Sequence, residues 1–186
     1  MKSYIKTILI SILYFLYGCS IFTSTSYNGP ELLIKKDFEG KNIAVVNFFT
    51  QGSFSTSNLG KIAADKLTDF LFLITQFDVV ERAKINDALT ELKINNTENL
   101  SDEQIRQLGS RVGAKYLVLG RILQFNEGEF LSSNSDKVIN LSYRIISVET
   151  TEVVGIASMS CEYTTNTMER IEYMLNETVE EILDLE

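Results

Sequence analysis

Two alternating hydrophobic periods constrain the fold of this chain more than any other feature. Ile43–Phe49 is a short apolar, β-branched run, and polar or glycine positions bound it, as expected for a central strand. Apolar residues then recur at helical spacing over about 57–75, which predicts an amphipathic helix. A strand followed by a helix of this kind indicates a sheet with helices packed on it.

The middle of the chain continues this pattern. Phe77–Val80 is predicted to form a second short strand, and apolar residues at 85, 88, 89 and 92 mark a second helix. A capping box at Ser101–Gln104 opens a third helix, which Gly113 ends.

Three strands are predicted next, in an antiparallel meander over about 116–161. Tyr116–Ile122 is apolar on both faces, which favours a central position, and Glu149–Glu152 supplies a tight connection. In the next strand, apolar residues alternate with polar ones as in a sheet with one solvated face: Ile139, Leu141, Tyr143 and Ile145. A last amphipathic helix gives the order β-α-β-α-α-β-β-β-α, a single α/β domain with an α+β mixed sheet.

Composition excludes several classes of function. The 186 residues are enough for one ordinary domain, and none of them is histidine, which removes imidazole bases and histidine-ligated zinc. The formal charge is −8, with 17 basic and 25 acidic residues, so nucleic acid is an unfavourable partner. We expect no metal and no cofactor.

The first 18 residues have the pattern of an export signal. Lys2 and Lys6 precede the apolar run Thr7–Tyr17, which is too short for a permanent membrane helix. The run ends in Leu16–Cys19, which resembles a bacterial lipobox, although the position of Tyr17 usually holds a small residue. We expect cleavage between Gly18 and Cys19 and acylation of Cys19; a plain signal peptide or an N-terminal anchor is the alternative.

Cleavage defines the predicted domain organisation. Residues 1–18 are the signal peptide, 19–40 the lipidated N-terminus and tether, and 41–186 the folded domain. Removal of two lysines changes the formal charge from −8 to −10, and acyl chains would hold this acidic domain at a membrane. Ser20, where retained lipoproteins carry aspartate, favours the outer membrane by resemblance to enterobacterial sorting. With Cys19 acylated, Cys161 has no partner, so we expect no internal disulfide.

Few residues suggest chemistry. The loop Gln51–Lys61 precedes a helix, as phosphate-binding loops do, but its glycine spacing does not match such a loop, and a helix-capping turn is favoured. The acidic residues near the C-terminus fit a solvated helix face, and Cys161 fits a buried structural thiol. An exported hydrolase using carboxylates remains open as an alternative.

Phe54, Ser55 and Thr56 form a candidate contact loop. An aromatic residue in a polar loop can anchor a protein partner, and it can equally fold inward over the end of the sheet.

Several segments together resemble one family. Val79–Ile94 is similar to the "ER-x-x-L-x-x-L-x-x-E" segment of the CsgG family of curli secretion lipoproteins, and Gly113–Ile122 to its "GA-x-x-(apolar)-G-x-I" strand. Ile43–Phe49, the turn Val148–Val153 and the lipobox follow in the family's order. The resemblance covers about 41–186.

This resemblance implies a fold like the N-terminal domain of TolB, and non-enzymatic work by protein contact in the periplasm. CsgG itself resembles this domain with two insertions that become transmembrane hairpins, each of which needs roughly twenty residues. Here the corresponding segments, Asn126–Lys137 and Glu162–Thr167, are too short. Phe54–Thr56 resembles the end of the family's constriction loop, whose tyrosine and asparagine have no clear counterparts in this sequence.

The resemblance therefore predicts an outer-membrane lipoprotein that acts in assembly or secretion at the cell envelope, as a curli-like transport component. Its partner would be a secretion or fibre component, and a homo-oligomer is compatible with the sequence. Compact relatives leave two alternatives: an LpoB-like activator of a peptidoglycan synthase and a FlgO-like flagellar accessory protein.

Overall fold

The computed structural model describes residues 28–34, 42–51, 58–127, 136–163 and 167–183. The strands are β1 (Asn28–Ile34), β2 (Asn42–Val45), β3 (Phe49–Gln51), β4 (Asp78–Val79), β5 (Tyr116–Glu127), β6 (Asp136–Ser147) and β7 (Val153–Tyr163). The helices are α1 (Leu59–Ile74), α2 (Arg82–Glu91), α3 (Asp102–Val112) and α4 (Thr167–Leu183).

All the described strands belong to one mixed sheet with the order β1-β7-β6-β5-β2-β4. β5, β6 and β7 form the predicted antiparallel meander, while β2 lies parallel to β5 and β4. β3 also pairs with β5, beyond the end of β2. The central position predicted for β5 is confirmed, and so is the fold class of a mixed sheet with helices packed on it.

Two apolar clusters hold the helices against opposite faces of the sheet. α1 and α4 cover one face, where Leu67 and Ile171 are fully buried against side chains such as Leu141. α2 and α3 pack on the other face through Ile85 and Leu108. The amphipathic periods of these helices account for this arrangement, since each helix buries one stripe of its surface.

The alternation predicted for the meander is confirmed in β6. Its inward residues are all buried against α1 and α4: Ile139, Leu141, Tyr143 and Ile145. The residues between them, Asn140, Ser142 and Arg144, are half-buried on the opposite face.

The capping box at the start of α3 is also confirmed. The Ser101 hydroxyl accepts a hydrogen bond from the backbone of Gln104, whose side chain accepts one in return from the Ser101 backbone at 2.9 Å. Gly113 ends the helix in the left-handed region at φ 74°, which glycine adopts without steric cost.

The predicted first strand is divided into β2 and β3. At residues 46–48 the backbone bonds outside a regular ladder: the Phe48 N–H donates to Gly60 O at 3.1 Å, and the Thr97 hydroxyl donates to Asn47 O at 2.8 Å. These partners are distant in sequence, so a local hydrophobic pattern could not locate the break.

β1 has no counterpart in the predicted element order, because it lies in the segment 19–40 that the sequence pattern assigned to a tether. It is an edge strand, antiparallel to β7, and its register is irregular between Asn28 and Glu31, on either side of Pro30. Proline is tolerated in a sheet at edges and irregularities. An edge strand lacks the sustained apolar run that identifies a central one, which is why the pattern gave no signal here.

Candidate functional site

The site residues predicted from the sequence lie outside the described residues. This holds for the lipobox residues Gly18 and Cys19 and for the contact loop Phe54, Ser55 and Thr56. Cleavage, acylation and loop contact therefore stay predictions, and the candidate site is built from the surfaces that the structure describes.

The sheet has an open area on the face opposite α1 and α4, which we call the open sheet face. Beyond β5, the strand residues of the apolar cluster beneath α2 and α3 are limited to Ile146 on β6 and to Val153, partly buried at the start of β7. Among the described helices, none packs on this face over β7 and β1. Side chains from four neighbouring strands therefore reach its surface.

Cross-strand register aligns those side chains in rows. One row runs from Leu119 on β5 through Arg144 on β6 and Ile156 on β7 to Leu33 on β1. Ile156 is 48% exposed and Leu33 62% exposed. Two aliphatic side chains that face solvent from paired positions form an apolar spot, which in soluble proteins often marks a contact surface.

The neighbouring row supplies polar groups. It contains Arg121, Ser142, Ser158 and Glu31, from β5, β6, β7 and β1 in that order. Arg121 Nε donates to Ser142 Oγ at 3.0 Å. This row therefore adds hydroxyl groups and a positioned guanidinium beside the apolar spot.

Arg144 is held in place by a backbone acceptor. Its Nη2 donates to the carbonyl oxygen of Glu98 at 2.8 Å. A cavity of about 300 Å³ lies between residues 98–99 and the strands, with Arg144, Tyr143 and Ile156 among its lining residues. The open sheet face thus combines two ordered guanidinium groups with exposed aliphatic side chains, the chemistry found at the centres of protein interfaces.

A second exposed apolar pair lies on the opposite layer of the molecule. Phe72 and Leu73, near the end of α1, are 68% and 75% exposed. They are adjacent on one helix and have no cross-strand row to extend them, so they offer a smaller spot and a useful comparison for experiments.

The "ER" segment provides a structural link. Arg82, the first residue of α2, has a side chain only 13% exposed. Its Nε donates to Asp65 Oδ1 on α1 at 2.7 Å, and its two Nη groups donate to Val45 O and to Asn47 Oδ1. One guanidinium therefore joins α1, α2 and the end of β2.

The glycines of two predicted motifs serve packing. A Cβ at Gly120 would overlap the ring of Phe48, and a Cβ at Gly60 would overlap the Phe48 carbonyl oxygen. The close approach of backbone explains Gly60 without any phosphate. The sequence favoured a helix-capping turn here, but α1 begins without a side-chain cap, because Asn58 makes no capping hydrogen bond.

Cys161 is a buried free thiol, as predicted from the sequence. Its Sγ lies 3.4 Å from the Met174 sulfur in the cluster beneath α4. Burial raises the pKa of the thiol, and the charge of Arg170 opposes that rise. A protonated, enclosed thiol is a poor nucleophile.

The described residues contain neither a metal-binding cluster nor a membrane-spanning helix. No group of cysteine and carboxylate side chains there could hold a metal ion. No helix among them combines the length and the apolar character that crossing a membrane requires.

Sequence reasoning found the polar face of β6 but missed the open sheet face as a unit. The alternation of residues 139–145 identified which side chains point away from α1 and α4. The contribution of Leu33 depends on the pairing of β1 with β7, which no local pattern indicates. The link made by Arg82 was also missed, because its partners lie 17 to 37 residues earlier.

Solved structures of bacterial proteins share this fold. A variant of the PelC dodecamer from Paraburkholderia phytofirmans superposes with a TM-score of 0.52 at 13% identity, over 82% of this chain and 96% of that one. Lipoprotein GNA1162 from Neisseria meningitidis gives 0.51 at 11% identity, over 77% and 99%. LpoB from E. coli gives 0.50 at 15% identity, over 67% of this chain and 58% of LpoB.

Comparison with curated protein sequences gave no match. The family model described as "Curli production assembly/transport component CsgG" matches residues 37–170. That match contains every described element from β2 to β7, including the "ER" segment and the Gly120 strand. It agrees with the resemblance noted in the sequence, and the chain belongs to the CsgG family.

Proposed function

We propose that this chain is a non-enzymatic lipoprotein of the outer membrane that acts through protein contact in envelope assembly or secretion, as a curli-like transport component. The open sheet face is the observation that carries this proposal. Its exposed aliphatic pair and two positioned guanidinium groups suit a protein partner that presents aliphatic and carboxylate side chains. Catalysis has no comparable support among the described residues, where the free thiol is buried.

Attachment to the membrane forms part of the proposal. Acyl chains on Cys19 after cleavage at Gly18 would anchor the domain so that it faces the periplasm, since more than one chain gives stable anchoring. Labelled palmitate should enter the full-length chain and should be absent from Cys19→Ala. Labelling that persists in Cys19→Ala would contradict the anchor.

Site-specific photocrosslinking tests the contact surface. A photoreactive residue at position 156 should form adducts with an envelope protein in cells, whereas one at position 73, on the opposite layer, should not. The adduct at 156 should also decrease in Arg144→Glu. Adducts only from position 73 would show that the open sheet face is not the contact surface.

The identity of the crosslinked protein distinguishes the branches. A secretion or fibre component supports the leading proposal. A peptidoglycan synthase supports an LpoB-like activator, which the short segments Asn126–Lys137 and Glu162–Thr167 favour, and a flagellar protein supports a FlgO-like role. A second copy of this chain would support a homo-oligomer; PelC, with a similar fold, was solved as a dodecamer.

A further inference from the structure

A polar groove of about 700 Å³ lies where β2 ends, between β3 and the end of α2. This volume is within the range of about 300 to 1,000 Å³ typical of small-molecule sites. Its walls carry four asparagines and several threonines: Asn47, Asn86, Asn95, Asn96, Thr90 and Thr97. Among the described residues that line the groove none is acidic, although the chain has 25 acidic residues.

The amide orientations in one wall are fixed by Arg82. A guanidinium can only donate hydrogen bonds, so the atom of Asn47 that it contacts must be Oδ1. Asn47 Nδ2 then points the other way and donates to Asn86 Oδ1 at 3.3 Å. Because Asn86 uses its oxygen in this bond, its amide N–H groups remain as donors at the wall of the groove.

The turn after α2 positions the facing wall. Lys93 adopts a left-handed backbone with φ 54°, and Ile94 N donates to Leu89 O at 2.9 Å. Thr97 returns to the strand through its hydrogen bond to Asn47 O. These hydrogen bonds fix the turn that carries residues 95–97, which also line the groove, so this part of the site is preorganised.

The floor of the groove is apolar. Leu89, Ile94 and Phe48 are buried and line it, and Phe49 is half-buried beside them. The surface therefore alternates between apolar area and neutral groups that both donate and accept hydrogen bonds. A sugar ring presents the complementary pattern, since it has hydroxyl groups around its edge and C–H groups on its faces.

We propose that this groove binds a neutral glycan chain. The described lining residues offer no carboxylate to a cationic ligand, and their only charged member, Lys93, supplies too little charge for an anionic polymer. Neutral amides and hydroxyls instead suit vicinal hydroxyl and acetamido groups. The groove is a different surface from the open sheet face, so glycan binding there does not depend on the proposed function.

Titration with neutral trisaccharides tests the proposal. Triacetylchitotriose, cellotriose and maltotriose would be added to the full-length acylated chain in micelles of a sugar-free detergent, with isothermal titration calorimetry and saturation-transfer NMR as readouts. We expect at least one of them to bind, with an affinity that does not change between low and high salt, since no charge pairing is involved. Absence of binding by all three up to about 10 mM would overturn the proposal.

Variants locate the binding in the groove. Asn86→Ala and Asn47→Asp should each weaken binding at least about tenfold; Asn47→Asp keeps the acceptor for Arg82 but turns the Asn86 amide around. Asn176→Ala, on α4, is the matched control and should bind as the unmodified chain does. Urea unfolding of each variant separates lost binding from lost folding.

Two results would assign the groove to another ligand. Tighter binding of a trimer of galacturonic acid than of the neutral trisaccharides, lost in Lys93→Gln, would show that a charge is recognised and that the ligand is an anion. Equal binding by an uncharged Gly-Ser hexapeptide in competition with the trisaccharide would show an unspecific polar groove. Either result contradicts a neutral glycan site.

Discussion

At the scale of single residues, Gly120 shows how a motif position can be determined by packing. Its Cα hydrogen faces the ring of Phe48, and a Cβ would overlap that ring. We expect Gly120→Ala to lower the free energy of unfolding by about 1–3 kcal/mol, the usual cost of overpacking. Urea denaturation of the variant and of the unmodified chain measures this decrease.

Gly155→Ala is the matched control on β7. A Cβ there would lie 3.3 Å from Ile145 Cδ1, the movable end of a flexible side chain. We expect Gly155→Ala to lower the free energy of unfolding by less than Gly120→Ala does. Equal decreases would mean that any glycine-to-alanine change in these strands destabilises the fold to the same extent. The contact between Gly120 and Phe48 would then not be the cause.

Cys161 gives a pH-dependent prediction. Burial raises the pKa of its thiol in the folded chain, so the unfolded chain ionises first as the pH rises above about 8.5. The stabilising contribution is fully present below that pH and is lost as the pH rises towards the folded pKa, at up to about 1.4 kcal/mol per pH unit. The free energy of unfolding of Cys161→Ala should therefore depend less steeply on pH between about 8 and 10 than that of the unmodified chain. Identical slopes in urea titrations would contradict the shifted pKa.

At the scale of elements, the guanidinium of Arg82 links α1 and α2 to the end of β2. It takes the Val45 carbonyl and the Asn47 side chain as acceptors and also pairs with Asp65. A lysine has a single point of attachment and cannot replace this planar fork. We expect Arg82→Lys to lower the free energy of unfolding by about 1–3 kcal/mol, as for lost hydrogen bonds to a charged group.

Arg111→Lys is the control for that substitution. Arg111 pairs with Glu91 on the surface, where its side chain is 57% exposed, and exposed pairs contribute only about 0–1 kcal/mol. Thermal unfolding of both variants makes the comparison. A loss at position 111 as large as that at 82 would contradict the structural role of the buried guanidinium.

Elements with strong local signals were predictable from the sequence, and contacts between distant segments were not. The capping box at Ser101 and the alternation in β6 depend on neighbouring residues, and both were confirmed. The break at 46–48 depends on hydrogen bonds with Gly60 and Thr97. The groove depends on the hydrogen bonds that join Arg82 to Asn47 and Asn47 to Asn86. Periodicity reports which face a side chain occupies, but it does not report which distant residue lies opposite.

At the scale of the whole molecule, the pairing of β1 with β7 bears on where the folded domain begins. The hydrophobic pattern began the domain at Lys41, whereas β1 starts at Asn28 and pairs along β7 as far as Ile34 with Gly155. β1 also contributes Leu33 to the open sheet face. Residues 28–34 are therefore part of the sheet and also part of the proposed contact surface.

Truncation tests this boundary. A chain that begins at Lys41 loses β1 and leaves the β7 edge unpaired, whereas a chain that begins at Asn28 keeps the sheet. Cross-strand pairs contribute about 0.2–1 kcal/mol each. We therefore expect the free energy of unfolding of the shorter chain, measured in urea, to be about 1–4 kcal/mol lower. It should also self-associate in size-exclusion chromatography, because an unprotected strand edge pairs with other chains. Equal stability and a monomeric elution profile for both chains would place β1 outside the cooperative unit and return the domain boundary to Lys41.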